Sequence, residues 1–405
     1  MFDSTSIIVG LEMGTSKICA VVGEINAANA LNIIGLGQAR SRGVRKGEIA
    51  DATLAGEDVR NAIVEAEQMA NVEIRSVYLG VTGNHIRGFN NHGVHPVVSA
   101  DREITLEDTQ DVVKNAKAIN LPVDNTVIHA IRQHFQVDAQ HGIQNPLGMY
   151  GAKVEVDVHV VHGHVDRLKN SIAVVRGLQL EVEEIVFNGL ASALALLSNE
   201  QKELGALVID LGAGATDYAV SCDGIITHTG VLAVGGDHIS NDLAYGLKIP
   251  LGRAEQLKIE RGGAFVEEAL KGQTLSSAGD LGLPAKIINL EHLRRIMSLR
   301  LEEIFELIES DLSALGLLDR LRAGVFICGG GARIPGIQTL ASNIFQMPAF
   351  LGKTNSISGL KSALDQPEFA AAIGLVKFGS LQQKRKPSAG LADGLKKTFA
   401  EIFRR

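Results

Sequence analysis

The chain has 405 residues, enough for two or three domains of ordinary size. Its 39 basic and 46 acidic residues give a formal charge of −7, which argues against a broad nucleic-acid-binding surface because phosphate contacts need clustered Lys and Arg. Cys19, Cys222 and Cys328 lie far apart without metal-ligand spacing, so we expect a reducing, cytosolic compartment. We also expect neither a signal peptide nor a membrane span, since no apolar run approaches 18 residues.

The first part of the chain contains short β-rich runs separated by Gly, Asn and polar turns, which predicts an antiparallel meander. The predicted strands cover residues 7–13, 17–24 and 31–38. Apolar residues between Val59 and Ala70 then recur at steps of three and four, the spacing of one buried helix face. A further strand is predicted at 77–81.

A second β-rich series repeats this plan much later in the chain. After a helical stretch at 190–197, strands are predicted over residues 206–211, 217–222 and 225–231. The segment 84–163 between the two series predicts an inserted α+β subdomain. It contains a helix around 106–119 and strands near 127–137 and 154–161.

The last third of the chain is predicted to be mainly helical. Helical patterns follow Gly235 until a strand at 325–328, and a final core helix is predicted over 367–378. Residues 380–390, which include Lys384-Arg385-Lys386-Pro387-Ser388, have no apolar period and are typical of a linker.

The two β-rich series open on the same kind of turn, an acid-x-Gly hairpin. The first is Glu12-Met13-Gly14 and the second is Asp210-Leu211-Gly212. Gly lets backbone N–H groups approach anionic oxygens, and the acid can hold water around Mg²⁺. One copy is weak evidence because Gly and Asp are common turn residues, but two copies in matching strand contexts predict two lobes that clamp one polyphosphate.

Three further elements fit the same ligand. Gly329, Gly330 and Gly331 follow a buried strand, where a base or ribose can lie against bare backbone. Gly235-Gly236 precedes a predicted helix whose first N–H groups are of the kind that binds phosphate. Glu255 and Lys258 lie one helical turn apart and can reach a ribose and base together, although alone they would read as a solvated helix face.

In this order, these elements resemble the superfamily of actin, heat-shock chaperone and sugar kinase ATPases, and within it the FtsA family of bacterial cell-division proteins. The resemblance also rests on Ala254-Glu255-x-x-Lys258 and on Gly329-Gly330-Gly331-x-Arg333-Ile334-Pro335. Supporting stretches are Ser41-Arg42-Gly43, Gly142-Ile143-x-Asn145-Pro146 and Gly189-Leu190-Ala191-Ser192. The resemblance extends from about residue 7 to residue 379.

The resemblance implies an α/β fold: a two-lobed actin-like ATPase with an inserted α+β subdomain, called 1C, and a C-terminal amphipathic helix. The expected boundaries are 1–83 and 164–203 for subdomain 1A, 84–163 for 1C, 204–234 and 320–379 for 2A, 235–319 for 2B, 380–390 for the linker and 391–405 for the amphipathic helix.

The resemblance also implies ATP and Mg²⁺ as cofactors. The candidate cofactor-binding residues are Gly14, Thr15, Ser16, Lys17, Asp210, Gly212, Gly214, Thr216, Gly235, Gly236, Glu255, Lys258, Gly329, Gly330, Gly331 and Arg333. Glu12 and Asp210 are the candidate catalytic carboxylates, which would hold Mg²⁺ through water and the ATP phosphates. Because Glu12 stands where most of the superfamily has Asp, its extra methylene shifts the carboxylate, and we expect at most a slow ATPase.

The implied function is a peripheral membrane protein at the division site, on the cytoplasmic face of the cell membrane. There it would polymerise, tether FtsZ filaments and recruit later division proteins. An apolar stripe from Leu290 to Leu312 predicts a long helix capped by Asn289, and Arg294, Arg295 and Arg300 lie opposite that stripe. In the family this region receives the C-terminal peptide of FtsZ, so the arginines are candidate peptide-binding residues; a solvated helix face is the alternative for each.

The last fifteen residues predict a helix that lies in a membrane surface. The apolar residues fall within an arc of about 120° at 100° per residue. They are Leu391, Leu395, Phe399, Ile402 and Phe403, and Lys396 and Lys397 lie outside the arc. Fifteen residues make about 22 Å, less than the roughly 30 Å hydrocarbon core, so the helix is expected to lie on anionic lipid. Docking on the protein's own core is the alternative.

Two other functions of the same fold stay open, a small-molecule kinase and a PilM-like, peptide-binding pilus-assembly protein. The tail argues against both, since neither expects an amphipathic helix after a linker. A separate question concerns His159, His162 and His164. For these we favour a solvated strand face over a metal site, because no Cys or carboxylate arrangement completes a ligand set.

Overall fold

The computed structural model describes residues 6–26, 30–277, 286–354, 358–360 and 366–385. The predicted membrane helix at 391–405 and the end of the predicted linker lie outside these residues. Within the described ranges, no helix is long and apolar enough to cross a bilayer.

The first lobe is built on a six-stranded sheet that begins with the predicted meander. Its first elements are β1 (Ser6–Met13), β2 (Lys17–Ile25), β3 (Leu31–Arg40), the short β4 (Val44–Arg45) and β5 (Glu48–Ile49), helix α1 (Ala52–Ala70) and β6 (Ser76–Val81). Strands β1, β2 and β3 pair antiparallel, and β6 runs parallel to β1. Asp51 caps α1 by accepting the N–H groups of Thr53 and Leu54, and the predicted apolar face of the helix packs into the core.

A separate unit follows β6, which confirms the predicted inserted α+β domain. Its elements are β7 (Arg87–Pro96), α2 (Leu106–Lys117), β8 (Asn125–Val137), β9 (Gln140–Ile143) and β10 (Lys153–His164). The strands form one sheet in the order β7-β10-β8-β9. Helix α2 covers one face of this sheet, where alternate valines of β10 from Val154 to Val160 form a small core of their own.

The chain then completes the first lobe and builds the second. The first lobe gains α3 (Val165–Arg176), β11 (Glu181–Phe187), α4 (Asn188–Leu196) and α5 (Asn199–Leu204). The second lobe contains β12 (Ala206–Leu211), β13 (Thr216–Cys222), β14 (Ile225–Leu232), α6 (Gly236–Leu247), α7 (Leu251–Arg261), β15 (Thr274–Ser277), β16 (Lys286–Asn289), α8 (Leu290–Ala314), β17 (Gly324–Cys328), α9 (Ile337–Phe345) and β18 (Ala349–Leu351). As predicted, Asn289 caps α8 by accepting the His292 N–H at 3.1 Å.

The sheets of the two lobes repeat one topology. The order β11-β6-β1-β2-β3 in the first lobe corresponds to β18-β17-β12-β13-β14 in the second, with the same parallel and antiparallel pairs. The turn between β1 and β2 therefore occupies the same place in its lobe as the turn between β12 and β13. This confirms that the chain uses one plan twice.

The end of the described chain differs from the prediction in two ways. The last strand, β19 (Ser358–Gly359), joins β3, and the last helix, α10 (Ala370–Arg385), packs on the first lobe, although residues up to 379 were expected in the second. The reason is that Ile373, Leu375 and Val376 fill the first-lobe core. Helix α10 also continues into the predicted linker, where the Ser6 hydroxyl donates to Gln383 Oε1 at 2.7 Å.

Helix α8 offers a matched test of this packing. Leu301 is fully buried in the second-lobe core, whereas Leu299, two residues earlier, is 49% exposed. We expect Leu301→Ala to lower the free energy of unfolding by about 2–5 kcal/mol, because it leaves a cavity. Leu299→Ala should change it by less than about 0.5 kcal/mol. Chemical denaturation of both variants measures the difference, and equal effects would contradict the placement of the α8 apolar stripe.

Candidate functional site

A cavity of about 420 Å³ lies where the two corresponding hairpins approach each other. This volume falls within the usual range for small-molecule sites. Its lining includes most of the residues singled out from the sequence. These are Glu12, Gly14, Thr15, Ser16, Lys17, Asp210, Gly212, Gly214, Gly236, Glu255, Lys258, Gly329, Gly330, Gly331 and Arg333.

The two hairpins have the same local geometry. The Gly14 N–H donates to the Lys17 carbonyl at 3.0 Å, and the Gly212 N–H donates to the Ala215 carbonyl at 3.1 Å. A Cβ atom at either glycine would lie 2.8 Å from that carbonyl oxygen, so neither turn accepts a larger residue. The amides that follow, those of Thr15, Ser16, Ala213 and Gly214, donate no hydrogen bond to any of the described residues. Each hairpin therefore presents two unused backbone donors.

The second hairpin also contacts the first lobe beside the cavity. A Cβ atom on Gly214 would lie 2.8 Å from Lys46 Cα, in the turn between β4 and β5. The same turn is tied to the first hairpin, because the Gly47 N–H donates to Thr15 Oγ1 at 3.1 Å. The Thr15 side chain is thus a structural acceptor, and its backbone N–H is the part left for a ligand.

Two opposite charges, those of Lys17 and Glu12, lie together at the base of the first hairpin. Lys17 Nζ lies 3.5 Å from Glu12 Oε2 and 5.4 Å from the centre of the Phe369 ring. Burial opposes the charged form of Lys17, but the Glu12 carboxylate, with smaller contributions from Cys19 and Asp210, outweighs it and raises the Lys17 pKa. Lys17 is therefore a half-buried cation that lines the cavity.

Asp210 is held by a residue that the sequence did not identify. Ser192 Oγ, on α4, donates to Asp210 Oδ2 at 2.6 Å. Burial, with a further contribution from the Glu12 carboxylate, raises the Asp210 pKa to about 6. In the sequence, Ser192 only supported the family resemblance, and no local pattern reveals that a serine in an apolar helix will meet a carboxylate 18 positions later.

Thr82, Asn188 and Asp217 are among the other cavity residues that were missed. The Thr82 hydroxyl donates to Asp217 Oδ1 at 2.5 Å and so joins the two lobes. Burial, and then the nearby Asp210, raise the Asp217 pKa. The Asn188 Oδ1 atom is buried and accepts no hydrogen bond from the described residues. Only Asp217 carries a signal in the sequence, since it ends the second hairpin motif.

The start of α6 corrects one prediction. The N–H groups of Gly236 and Asp237 donate to the carbonyls of Gly212 and Ala213, at 3.0 and 2.8 Å. They are therefore not the free phosphate-binding cluster that was expected. Gly235 instead allows α6 to pack directly on the second hairpin, because a Cβ atom there would lie 2.5 Å from the Gly212 carbonyl oxygen. Thr216 is corrected too, because its side chain is buried, donates to the Val234 carbonyl at 2.7 Å and does not line the cavity.

The opposite side of the cavity combines apolar and polar groups. Ile259, Ile334 and Pro335 supply apolar surface. Lys258 Nζ lies 2.7 Å from Glu255 Oε2 and donates to the Gly236 carbonyl at 2.9 Å, so this predicted pair is fixed at the cavity. Arg333 lies at the rim, but its guanidinium donates to Glu368 at 2.7 and 3.0 Å and to Gln366 at 2.6 Å.

The three arginines of α8 differ in availability. Arg300 donates to Asp242 at 2.6 and 3.0 Å, and Arg294 donates to Glu267 at 2.7 Å. Arg295 has a side chain that is 58% exposed, and its nearest acidic oxygen, of Glu302, is 3.9 Å away. The three therefore do not form a free basic patch, and Arg295 is the one that is open to a partner.

The solvated strand face that was expected for the histidines of β10 is wrong for His159. His159 is fully buried against the second lobe and does not lie on a solvated face. Within the described part of the chain, no three His, Cys, Asp or Glu side chains are grouped to hold a metal ion.

Two repeated lobes around one cavity define the actin-like ATPase fold, and solved structures agree. The chain is similar to a chain of the PilM–PilN type IV pilus biogenesis complex, with a TM-score of 0.62 and 16% identity over 92% of this chain and 98% of that one. It is also similar to MreB5 of Spiroplasma citri bound to ADP, with a TM-score of 0.55 and 16% identity over 94% and 99% of the two chains. The corresponding values for a chain of the MamK double helical filament are 0.51, 11%, 94% and 99%. At these identities the likeness shows the fold alone.

Sequence comparison gives the family. The sequence model for "Cell division protein FtsA" matches residues 207–374, and that for "SHS2 domain inserted in FTSA" matches residues 83–162. The cell division protein FtsA of Pseudomonas aeruginosa is 37% identical over 94% of this chain and 91% of its own length. That of Borreliella burgdorferi is 37% identical over 94% and 92%. The chain belongs to the FtsA family of actin-like cell-division proteins, which decides against the kinase and pilus-assembly alternatives.

The raised Asp210 pKa predicts how the site affects stability. Between pH 3.8, the ordinary Asp value, and about 6, the folded protein binds more protons here than the unfolded chain, so stability falls as pH rises through this window. We therefore compare the free energy of unfolding of Asp210→Asn with that of the unsubstituted protein. The value for the variant minus the value for the unsubstituted protein should increase by about 1–3 kcal/mol from pH 4.5 to pH 7.5. Urea unfolding at both pH values measures it, with Asp319→Asn on the surface as the control. A constant difference would contradict the burial of an ionisable Asp210.

Proposed function

We propose that this protein binds ATP with Mg²⁺ in the cavity between its lobes, assembles into filaments and tethers FtsZ filaments to the cytoplasmic face of the cell membrane at the division site. The observation that carries the proposal is the pair of matching hairpins, whose unused backbone amides belong to residues that line one cavity, in a member of the FtsA family. MreB5, which has the same fold, has been solved with bound ADP, which supports a nucleotide in a cavity of this kind.

The hairpins supply the phosphate contacts in this proposal. Four backbone N–H groups, two from each lobe, would donate to the phosphate oxygens, because successive amides in a turn form a site for anions. Lys17 would add a cation beside them. Since the donors belong to both lobes, a bound polyphosphate would hold the lobes together. The apolar surface of Ile259, Ile334 and Pro335 would receive the base, and Glu255 would reach the ribose.

The acidic residues fit a magnesium ion that is bound through water. Glu12 and Asp210 both line the cavity, and carboxylate oxygen is the donor that Mg²⁺ prefers in proteins. Mg²⁺ commonly keeps several waters at sites that contain phosphate, so two carboxylates are enough. The ion would neutralise phosphate charge close to Asp210. We infer slow turnover at most, since the longer Glu12 side chain leaves the attacking water less well placed.

Gly212→Val tests the phosphate contacts. A valine side chain would meet the Ala215 carbonyl and push the second hairpin out of shape, so ATP affinity should fall at least about tenfold. Isothermal titration calorimetry with Mg-ATP measures the change. Gly252→Val is the matched control, because a Cβ atom there has no neighbour within 4 Å. Equal ATP affinity in the two variants would remove the hairpins from the site.

The proposed partners are further copies of this chain, the C-terminal peptide of FtsZ, later division proteins and anionic membrane lipid. Family membership supports all four. MamK, which has the same fold, forms a double helical filament, which supports filament formation by this chain. In such a filament each subunit would contact the next through unlike surfaces, so the assembly need not close into a ring.

Arg295 provides the test of peptide binding. It is the exposed arginine of α8, so Arg295→Glu should weaken an acidic FtsZ tail peptide about three- to tenfold, and the loss should shrink at high salt because exposed charges are screened. Arg322→Glu, at an exposed arginine outside α8, is the control. Fluorescence anisotropy at low and high salt measures both. If Arg295→Glu and Arg322→Glu bind the peptide equally well, the site lies elsewhere.

The tail provides the test of membrane attachment. Phe399→Glu places a charge on the predicted apolar arc, so co-sedimentation with anionic liposomes should be lost while Mg-ATP affinity stays unchanged. Truncation after Arg385 should do the same and leaves the described part of α10 complete. Tyr245→Glu, at an exposed aromatic residue of α6, is the control. Continued sedimentation of the truncated protein with the vesicles would refute the tether.

A further inference from the structure

We propose that the hairpin of β13 and β14 couples the inserted domain to the cavity. This one hairpin forms hydrogen bonds both with Thr82, where the chain enters the inserted domain (its root), and with the strands of the inserted domain (its body). The coupling is a property of the fold and is testable without a ligand. Its nucleotide dependence rests on the proposed function.

A buried histidine joins the body of the inserted domain to β14 by a hydrogen bond. His159 Nδ1 lies 2.6 Å from Asn90 Oδ1, within the inserted domain, and His159 Nε2 lies 2.9 Å from Thr229 Oγ1, on β14. Both ring nitrogens are therefore engaged, and the ring is fully buried. Burial, together with the nearby His228 and His129, lowers the His159 pKa to about 3, so the ring is neutral near pH 7. A neutral ring that donates from Nδ1 and accepts at Nε2 satisfies both contacts.

Other hydrogen bonds join the inserted domain to the second lobe beside these contacts. The Gln133 side chain donates to the Ile226 carbonyl at 2.8 Å, and the His134 ring lies 2.9 Å from the Asp223 carbonyl. Both acceptors lie on β14 or in the turn before it. The inserted domain therefore contacts the second lobe along this edge strand, although its chain emerges from the first lobe.

The root of the inserted domain forms a hydrogen bond with β13, the strand next to β14. Thr82 directly follows β6 and precedes the inserted domain, and its hydroxyl donates to Asp217 on β13. In the β13–β14 ladder Asp217 pairs with Val231, and Ala219 pairs with Thr229. The root contact and the body contact thus lie only two residues apart in register, on one continuous antiparallel pair.

The hairpin itself is fixed to the second lobe. The Tyr218 hydroxyl donates to Asp311 on α8 at 2.7 Å, and the His228 ring lies 2.7 Å from the same carboxylate oxygen. The hairpin therefore moves with the second lobe when the lobes close or open. Because the hairpin contacts both the root and the body of the inserted domain, any such movement acts on the two together. Asp217 also lines the cavity, so a ligand there acts on the same strand.

Hydrogen–deuterium exchange of the full chain tests the nucleotide dependence. Mg-ATP should change the exchange of β7 and β10 amides by at least about threefold. Thr229→Val removes only the hydroxyl and should reduce that change by half or more, with ATP affinity by calorimetry within threefold of the unsubstituted protein. Thr229→Ser should restore the change, and Thr227→Val, on the same strand, should leave it intact. An undiminished response in Thr229→Val would overturn the proposal.

A double-mutant cycle measured without nucleotide tests the coupling independently of ATP binding. Thr82→Val and Thr229→Val should each accelerate β10 exchange, and the double variant should accelerate it less than the product of the two effects, since both act on one hairpin. Should Thr229→Val unfold, Asn90→Ala replaces it from the other side of His159. Multiplicative effects would refute the coupling even where ATP binds. Non-additive effects without ATP binding would keep the coupling and reject the proposed function.

Discussion

The second hairpin meets the β4–β5 turn of the first lobe backbone to backbone, and the rest of the site depends on this close contact. Gly212 and Gly14 shape the turns, and Gly214 lies against the β4–β5 turn of the opposite lobe where no side chain fits. Beside this contact, four backbone amides without a partner among the described residues belong to turns that line one cavity, and α6 packs on the second hairpin. A repeated strand topology makes this arrangement possible, because it places each turn at the same position in its own lobe.

The close approach of the two lobes at the cavity has an electrostatic cost. It buries Asp210 and Asp217 close to each other and to Glu12, and the raised pKa values of the two aspartates record the penalty for ionising them there. Lys17 offsets part of the penalty, and Ser192 and Thr82 satisfy the carboxyl groups by hydrogen bonds. In the proposed function, Mg²⁺ and its waters would supply further positive charge at the same place. Ligand binding would then stabilise a protein whose empty site opposes folding.

Local patterns in the sequence predicted the strands of both series, the inserted domain, the cap of α8 and part of the cavity lining, to which the family resemblance added further residues. They did so because alternation, glycine turns and helix spacing are short-range signals. Contacts between distant segments could not be predicted in this way. Ser192 with Asp210 and Thr82 with Asp217 join residues whose neighbours in sequence give no hint of a partner. His159 was misread because alternation cannot distinguish a face covered by solvent from one covered by another domain, and the place of α10 depends on a sheet made at the start of the chain.

The most direct measurement is a crystal structure of the protein with Mg²⁺ and a non-hydrolysable ATP analogue. We expect the phosphate oxygens to lie within hydrogen-bond distance of the Thr15 and Ser16 amides on one side and of the Ala213 and Gly214 amides on the other. We also expect Glu12 and Asp210 to reach the metal through water. A nucleotide bound outside this cavity, or phosphates held by one hairpin alone, would contradict it.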